Sequence, residues 1–251
     1  MMDKNSNIQI IPYPPKYPKS VHFYITNECN LDCEKCHYRS KSDPKQELSF
    51  STIKALFQEW KRYGLTSIAI GGGEPLLHPD IVDIVRIGKD MGFFMAITTN
   101  GTVLKPIEAN RIHISYDELH PTWKNENLIE KAIKYYKKLG CKVGINHIVS
   151  SIESIEYVES KFGYVDNVLL IREKPKSDFK DWDKIPYGKN YWIEGCRPES
   201  HCEQGILSFH VDYDLNASIC SNLKKKIPYS SLEGTWKELK KFLCEIRDSQ
   251  N

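Results

Sequence analysis

The sequence feature that most constrains the fold of this chain is a regular alternation of short β-rich runs with amphipathic segments of helical periodicity. Parallel strands joined by helices produce such an alternation. The connection at 103–110 contains Pro106 and is too short for a helical crossover. Strands are predicted at 21–26, 66–70, 93–99, 111–115, 142–149 and 166–171, and helices near 50–63, 79–91, 127–139 and 151–162. Because six strands are too few to close an eight-stranded barrel, the pattern predicts an α/β fold with a partial (β/α)6 barrel.

The pattern changes after Arg172, and this change sets the predicted domain boundaries. Residues 1–20 are predicted to be an extended arm because several prolines interrupt them. The partial barrel is predicted at 21–172, and a linker with a small C-terminal auxiliary domain at 173–251. The elements predicted in that last part are a β-hairpin and a helix, at 206–211, 217–220 and 236–247.

Composition limits the classes of protein to which the chain can belong. Its 251 residues are 40% hydrophobic and 27% charged, which is typical of a globular protein with a sizeable core. Lysine and arginine number 35 against 33 aspartate and glutamate, so net charge gives no signal for nucleic acid or an anionic membrane. Residues 1–20 contain no apolar run that could serve as a signal peptide or a membrane span. We therefore expect a cytoplasmic protein whose cysteines are reduced and available as ligands.

Three cysteines lie within eight residues after the first predicted strand, at Cys29, Cys33 and Cys36. The residues between them are mostly polar, so a buried-thiol explanation is poor. Three thiolates on a short loop can hold three corners of an iron–sulfur cube and leave the fourth iron open. Zinc is an alternative, because His37 would complete a Cys3His set, although nothing nearby supplies the usual second ligand pair. A disulfide is disfavoured since the chain shows no secretion signal.

A run of three glycines followed by Glu74 and Pro75 ends the second predicted strand. Glycines let the backbone approach a ligand closely and adopt dihedral angles that other residues avoid. The carboxylate of Glu74 adds an acceptor in the same place. A plain glycine-rich turn would explain the glycines but not the glutamate, and the run becomes informative because it follows the cysteine loop by one strand.

Together the two motifs resemble those of the radical S-adenosylmethionine (radical SAM) superfamily, over roughly residues 20–172. The resemblance implies a 4Fe–4S cluster on the three cysteines and S-adenosylmethionine at the open iron. It also implies that Gly72, Gly73 and Glu74 receive the amino group of the methionine moiety. Further stretches resemble the strand ends that complete this site in the family. The residues that they assign to S-adenosylmethionine are Thr99, Asn100, Ser115, Asp117 and Asn146.

Each of these further residues can also be explained without a ligand. The Asn-Gly pair at 100–101 is also a common turn signal, and Ser115 or Asp117 is equally well explained as a helix cap. Asn146 is a polar residue in an apolar strand and needs a partner if it is buried. The chain departs from the family at Lys35, where an aromatic residue usually covers the adenine, so we expect backbone contacts there.

A second group of cysteines follows the predicted barrel, at Cys196, Cys202, Cys220 and Cys244. Cys202 before the hairpin and Cys220 after it resemble the SPASM/twitch auxiliary-cluster domains found behind some radical SAM barrels, which implies a second 4Fe–4S cluster. Zinc or unligated thiols are the alternatives. The family pattern has a glycine where this chain has Leu215, and we expect the adjacent Asn216 to take the turn dihedral instead. Cys141, at a strand start, is predicted to be a small core residue.

The resemblance also implies a mechanism. A reduced cluster passes one electron to S-adenosylmethionine, and the resulting 5′-deoxyadenosyl radical removes a hydrogen atom from the substrate, with flavodoxin or ferredoxin as the electron donor. The predicted substrate is a peptide precursor that undergoes RiPP-type maturation. The alternatives are oxidation or rearrangement of a small metabolite, such as a sugar or nucleoside, and a non-catalytic iron–sulfur or zinc module. The sequence assigns no catalytic side chain; His113, Tyr116 and His120 are candidates for the substrate side of the site.

Overall fold

The computed structural model describes residues 15–36, 44–173, 179–185, 190–193, 204–221, 223 and 225–242. The strands in this part are β1 (Ser20–Tyr24), β2 (Ser67–Gly71), β3 (Phe94–Thr99), β4 (Arg111–Ser115), β5 (Lys142–Ile148), β6 (Asn167–Ile171), β7 (Tyr191–Ile193), β8 (Ser208–Val211), β9 (Asn216–Ser218) and β10 (Ile227–Pro228). The α-helices are α1 (Phe50–Arg62), α2 (Ile81–Asp90), α3 (Glu126–Lys138), α4 (Ile152–Phe162) and α5 (Leu232–Leu239). Short 3₁₀ helices lie at Pro75–Leu77 and Trp182–Lys184.

All of these strands belong to one sheet, in the order β10-β9-β8-β1-β2-β3-β4-β5-β6-β7. Strands β1 to β6 are parallel neighbours in chain order, as predicted, and β7 and β8 extend the parallel part at its two sides. The hairpin β8–β9 is antiparallel, and β8 lies directly beside β1. The predicted α/β fold with a mostly parallel sheet is therefore confirmed, and the sheet is consistent with a partial barrel.

The two faces of the parallel strands differ in chemistry. Side chains on one face are aliphatic or aromatic, nearly inaccessible to solvent, and pack under the helices; Phe23 on β1, for example, contacts the rings of Phe57 and Trp60 on α1. Because side chains alternate along a strand, the residues between them face the other way. This second face, which we name the inner face, carries His22, Tyr24, Thr98, Arg111, His113, Ser115, Asn146 and Asn167. Its polar composition indicates that the functional site lies on this face of the sheet.

Helix starts follow from local side-chain caps. The hydroxyl of Ser49 accepts a hydrogen bond from the Thr52 N–H group at the start of α1. Ser151 and Ser154 form a reciprocal capping box at the start of α4. Such caps satisfy backbone donors that have no partner within the helix. They explain why the predicted and observed bounds of α1, α3 and α4 agree within a few residues, whereas α2 begins without a side-chain cap.

Three predictions on the C-terminal part were wrong. Strand β7 lies in the segment after residue 172 that we predicted to be a linker, and it escaped prediction because three residues are too few to show a periodicity. Helix α5 begins at Leu232 rather than near Trp236, because Ser231 caps it and accepts a hydrogen bond from Gly234 N–H. The turn dihedral falls on Leu215 itself, with φ +57°, and not on the adjacent asparagine.

The connection at 103–110 contains no helix, as predicted, and Cys141 is a buried core residue whose thiol donates to the Ile107 carbonyl at 3.5 Å. In the described part of the chain, no helix has the length and hydropathy that crossing a membrane would require.

Candidate functional site

The cysteine loop follows β1, and two buried polar residues anchor its base. The Asn27 amide donates to the Pro44 carbonyl at 2.9 Å and accepts from Gln46 N–H at 2.7 Å. The Thr26 hydroxyl donates to the Gln46 carbonyl and accepts from Glu28 N–H. Both side chains have at most 1% exposure. They tie the start of the loop to the segment that precedes α1, so that the cysteines are carried on a base of fixed geometry.

The glycine run after β2 packs its backbone directly against this base. Gly73 N–H donates to the Thr26 carbonyl at 2.9 Å, and Glu74 N–H donates to the Glu28 carbonyl at 2.7 Å. A Cβ atom on Gly73 would lie 2.1 Å from the Glu28 oxygen, and one on Gly72 would lie 2.3 Å from the Thr26 oxygen. The glycines are thus required for close contact between two loops, whereas the sequence suggested only close contact with a ligand.

The thiols of Cys29, Cys33 and Cys36 are partly exposed. Burial, and then the nearby Cys36 and Cys29 thiols, raises the pKa of Cys33 to about 11. Two N–H groups point to the Cys29 sulfur: the Leu31 amide at 3.5 Å and Asn100 Nδ2 at 3.9 Å. Hydrogen bonds of this kind set the reduction potential of iron–sulfur clusters.

This donor set fits a 4Fe–4S cluster. Three thiols stand on one short loop, close enough for mutual repulsion of their thiolates, and bound iron would offset that repulsion. In such a cluster each thiolate binds a different iron, so the sulfurs need not meet at one point. Within the described ranges, no three His, Cys, Asp or Glu side chains converge as a single ion would require. His37, the fourth ligand of the zinc alternative, lies outside those ranges.

A small hydrogen-bond network joins the end of β3 to the cysteine loop. Asn100 Nδ2 donates to Asn30 Oδ1 at 3.0 Å, and Asn30 Nδ2 donates to the Thr102 hydroxyl at 2.8 Å. That hydroxyl and the Thr102 N–H group both donate to Asn100 Oδ1. The amide of Asn100, which the resemblance assigned to S-adenosylmethionine, therefore also positions the residue that follows Cys29.

Glu74 lies fully buried beneath these loops. Its Oε1 atom accepts from Leu76 N–H at 3.0 Å and from the Thr99 hydroxyl at 2.9 Å, and its Oε2 atom accepts from Asn100 N–H at 2.7 Å. Burial raises the pKa of Glu74 to about 7, although these hydrogen bonds act in the opposite direction. The structure thus brings together Glu74, Thr99 and Asn100, three residues from two strand ends that the sequence assigned to one ligand.

The ends of β4 and β5 bring Ser115 and Asn146 side by side on the inner face. Asn146 has 8% exposure, and its Oδ1 atom has no hydrogen-bond partner among the described residues. A buried acceptor without a partner is costly, so this atom is suited to a ligand donor. Asp117 differs, because it accepts from Leu119 N–H at 3.0 Å and from His120 Nδ1 at 2.9 Å. Those contacts stabilise the turn after β4. The helix-cap interpretation of Ser115 and Asp117 was wrong, because Asn125 caps the following helix α3.

Of the second cysteine group, Cys220 lies in the described part and is buried, whereas Cys196, Cys202 and Cys244 lie outside it. Burial raises the pKa of Tyr24, with smaller contributions from Asp212, Cys220 and Cys36, to about 12. The same tyrosine therefore lies near one cysteine of each group. Its ring also packs edge-on against His210, with centroids 4.4 Å apart.

Sequence reasoning missed several residues of the site. Thr26, Asn27, Asn30 and Thr102 had no assigned role, and their signal was weak, since polar residues beside a polar loop are unremarkable. Gly144, in the middle of β5, offered a better signal, because an isolated glycine inside a strand marks the close approach of another group.

Comparison with known sequences identifies similar proteins. The sequence profile of the Radical SAM superfamily matches residues 23–162. A probable GTP 3′,8-cyclase from Methanothermobacter thermautotrophicus is 36% identical over 110 residues, which cover 41% of this chain and 36% of that protein. An AdoMet-dependent heme synthase from Methanosarcina barkeri is 37% identical over 90 residues, which cover 36% of this chain and 26% of that protein. The matched part of the chain thus spans only about a third, or less, of the length of either relative.

Solved structures with the same fold include Streptococcus suis SuiB bound to the precursor peptide SuiA. It superposes with a TM-score of 0.74 at 16% sequence identity, over 91% of this chain and 68% of that chain. At this level of identity the likeness establishes the shared fold.

Proposed function

The chain belongs to the radical SAM superfamily, and from this premise we propose that it cleaves S-adenosylmethionine reductively with a 4Fe–4S cluster held by Cys29, Cys33 and Cys36. Membership makes the protein an enzyme and implies both the cluster and S-adenosylmethionine as cofactors. The hypothesis of a non-catalytic binding module was therefore wrong.

The contacts among three segments of the site support this proposal. The cysteine loop, the glycine run and the end of β3 form a single hydrogen-bonded unit, joined by backbone bonds from Gly73 and Glu74 and by the side chain of Asn100. The unit stands at the carboxyl ends of parallel strands, where α/β folds bind ligands. A loop that only bound zinc would need no buried glutamate beside it.

When bound, the cluster supplies one electron that breaks the sulfonium bond of S-adenosylmethionine, leaving methionine and a 5′-deoxyadenosyl radical that takes a hydrogen atom from the substrate. The chain's own residues bind, orient and exclude water. We assign the amino group of the methionine moiety to Glu74, because the ammonium would offset the cost of burying a carboxylate. The backbones of Gly72 and Gly73 flank that position.

We assign the remaining contacts with S-adenosylmethionine to side chains whose hydrogen-bonding groups are not already paired within the described part of the protein. Asn146 has the unpaired Oδ1 atom, and Ser115 lies opposite it on the inner face, so we assign both to the ribose or carboxylate of S-adenosylmethionine. Thr99 and Asn100 support the site through Glu74. Asp117 completes the set at the turn after β4, where it orients the backbone through Leu119.

The substrate that we propose is a peptide precursor. The supporting observation is the likeness of fold to SuiB, whose structure was solved with its precursor peptide, over nine-tenths of this chain. The polar inner face offers hydrogen bonds to an extended peptide. A small metabolite is the alternative, and the named relatives favour it, because one is a probable GTP 3′,8-cyclase.

We also propose a second 4Fe–4S cluster on Cys196, Cys202, Cys220 and Cys244. The position of Cys220 supports it, since this residue follows β9, the second strand of a hairpin whose first strand, β8, lies beside β1. A flavodoxin or ferredoxin is the expected electron donor to the first cluster.

Iron and sulfide content after anaerobic reconstitution tests the cluster assignments. Wild type should hold about eight irons, and the Cys29/Cys33/Cys36→Ala triple variant about four, if both clusters form. About four irons that fall to none would keep the first cluster and remove the second. Zinc in place of iron in the wild type would overturn the proposal.

Substrate class is tested by the yield of 5′-deoxyadenosine. The reduced, reconstituted enzyme is incubated with S-adenosylmethionine and either GTP or synthetic peptides that match any short open reading frame found beside its gene. A peptide that stimulates cleavage and changes mass supports maturation. Stimulation by GTP alone would replace the peptide with a nucleotide.

A further inference from the structure

Beyond the row formed by Ser115 and Asn146, the inner face carries a second polar group formed by His113 and Asn167. On each strand this group lies two residues nearer the start, which corresponds to about 7 Å along the strands. The register sets His113 on β4 beside Gly144 on β5, and Gly144 beside Asn167 on β6. A molecule whose reacting carbon approaches the carboxyl ends of the strands would therefore place its next few atoms against this group.

The imidazole of His113 lies across a neighbouring strand. A Cβ atom on Gly144 would be 2.5 Å from His113 Cδ2 and 2.7 Å from its Nε2. The ring thus occupies the space that any other residue would fill, and it reaches Asn167 two strands away. His113 Nε2 lies 3.1 Å from Asn167 Nδ2 and 3.3 Å from Asn167 Oδ1.

These contacts determine which edge of the His113 ring is free to bind a ligand. The Cδ2–Nε2 edge faces Gly144 and Asn167, so Nδ1 lies on the edge turned away from both residues. Nδ1 makes no hydrogen bond to any residue in the described ranges. Asn167 has 1% exposure and holds the ring rather than meeting a ligand, whereas His113 is only partly buried.

The ring of His113 packs edge-on against Trp192, with centroids 6.3 Å apart, and the polar side chains beside it toward the strand ends are uncharged. Its neighbours on the inner face near the strand ends are Thr98, Ser115, Asn146 and Asn167, none of which carries a charge. Burial lowers the pKa of His113 to about 4, so the imidazole itself is neutral near pH 7. The nearest cation on this face is Arg111, two residues further from the cysteines, where its guanidinium stacks on Trp192 at 4.2 Å from the ring centroid.

We infer that His113, held by Asn167 over Gly144, is a substrate-binding residue whose Nδ1 atom hydrogen-bonds an uncharged polar group of the substrate, an amide or a hydroxyl. A carboxylate or phosphate at this point would lose its hydration beside a neutral ring, because the nearest cation, Arg111, lies on the side away from the strand ends and stacks on Trp192. An amide or hydroxyl can either donate or accept, so it suits either tautomer of the ring. The inference rests on the proposed function, and it names the chemistry that the substrate presents beside the reacting carbon.

The first test follows His113 directly by NMR of the reconstituted enzyme, with S-adenosylmethionine bound, the cluster oxidised and the histidine rings labelled with ¹⁵N. Two uncharged probes are titrated separately: N-acetylglycine N-methylamide for a peptide and guanosine for a nucleoside. Acetate and inorganic phosphate are the charged controls. We expect at least one uncharged probe to move the His113 Nδ1 resonance, and the identity of that probe distinguishes the two sources. The inference is overturned if neither does, or if phosphate moves it equally.

Variants of four residues distinguish a role in binding the substrate from a role in holding the His113 ring in place. His113→Phe keeps the shape of the ring and should abolish probe binding, and Asn167→Leu should weaken it about tenfold by releasing the ring. Gly144→Ala should have a similar effect, because its Cβ would lie 2.5 Å from the ring and 2.8 Å from the Asn167 carbonyl oxygen, so that the ring and the facing strand both shift. Thr98→Val is the matched control, since Thr98 lies in the same row and is exposed, and it should bind the probe as wild type does.

Substrate-independent cleavage of S-adenosylmethionine and iron content should be unchanged in His113→Phe, Asn167→Leu and Thr98→Val. If both fall together with probe binding in His113→Phe, the residue supports the fold and the inference is wrong. If both are absent already in wild type, the proposed function has failed instead. The two failures are therefore distinguishable.

Discussion

Two turns in this molecule, each next to a cysteine motif, have a residue at positive φ. The residue is a glycine in one turn and a leucine in the other. At the glycine run, Gly72 has φ +129° and lies against the backbone that leads into the cysteine loop. At the C-terminal hairpin, Leu215 has φ +57°, a value that costs a non-glycine residue roughly 1–2 kcal/mol. Glycine is used at the first turn and a branched side chain at the second.

The difference lies in what surrounds each turn. Around the glycine run the neighbours are carbonyl oxygens of the facing loop, and backbone cannot move aside without displacing the cysteines. Around Leu215 they are side chains, against which the leucine packs, while its backbone bonds Asp212 and Tyr229. A tight contact between backbones leaves no tolerance for substitution, whereas packing between side chains can offset a strained dihedral. Changes at the first turn should therefore abolish metal binding, and changes at the second should alter stability only slightly.

The largest effect is expected from Gly73→Ala. The new Cβ would lie 2.1 Å from the Glu28 carbonyl oxygen, so the glycine run and the cysteine loop must separate. We expect the variant to lose most of its iron after reconstitution and about 2–3 kcal/mol of stability, measured by iron assay and urea denaturation.

Gly140→Ala is the matched control for that change. Gly140 also has positive φ, at +79°, but a Cβ there meets nothing within 4 Å. It should cost about 1 kcal/mol and leave the iron content unchanged. Equal iron loss in the two variants would mean that general destabilisation, rather than the contact between the loops, controls cluster binding.

The next effect is a pH dependence that comes from Glu74. Its pKa rises from 4.5 to about 7 on folding because of burial, so the folded state holds the proton more tightly than the unfolded state does. The resulting stabilisation is complete below the unfolded pKa and is lost as pH rises through about 7, a change of about 3 kcal/mol. Denaturation of the unliganded protein between these limits should show that decline, and Glu74→Ala should remove it.

Ionisation of Glu74 should strengthen S-adenosylmethionine binding as the pH rises, whereas it lowers the stability of the unliganded protein. If the ammonium binds ionised Glu74, the apparent affinity should rise about fivefold from about pH 6 to about pH 7, as the ionised fraction grows. Calorimetry on the reconstituted enzyme measures this. Glu74→Ala should bind more weakly at both pH values while its cluster still forms. Unchanged binding by that variant would remove Glu74 from the ligand site.

A smaller effect is expected where the C-terminal part attaches to α1. Glu59 on α1 accepts from Leu232 N–H at the start of α5 and from the Tyr229 hydroxyl, both at 2.8 Å. Glu59→Ala leaves both donors unpaired and should cost about 2 kcal/mol, whereas Glu59→Gln retains an acceptor and should cost less than half as much. Both should keep their first cluster. Loss of that iron in Glu59→Ala would show that the two regions are coupled.

The comparison also shows which parts of the molecule the sequence could predict. Strands β1 to β6 were predictable because their period and caps are local, and the three cysteines because their spacing is short. The bond between Glu74 and Asn100 joins residues 26 positions apart, and the contact of His113 with Asn167 spans 54 positions. Such pairs depend on strand register, which no single segment encodes. Leu215 departs from expectation for the same reason, since the contacts that hold its dihedral come from elsewhere in the chain.

The smallest effect is expected at Leu215 and sharpens the contrast with the glycine run. Leu215→Gly relieves the positive φ but loses a partly buried apolar side chain and adds flexibility to the unfolded chain. These terms oppose each other, so we expect a change in unfolding free energy within about 1 kcal/mol of zero. The iron content should equal that of wild type. Destabilisation by more than about 2 kcal/mol would show that packing of the leucine holds the hairpin against the sheet, and that the second turn is constrained as strictly as the first.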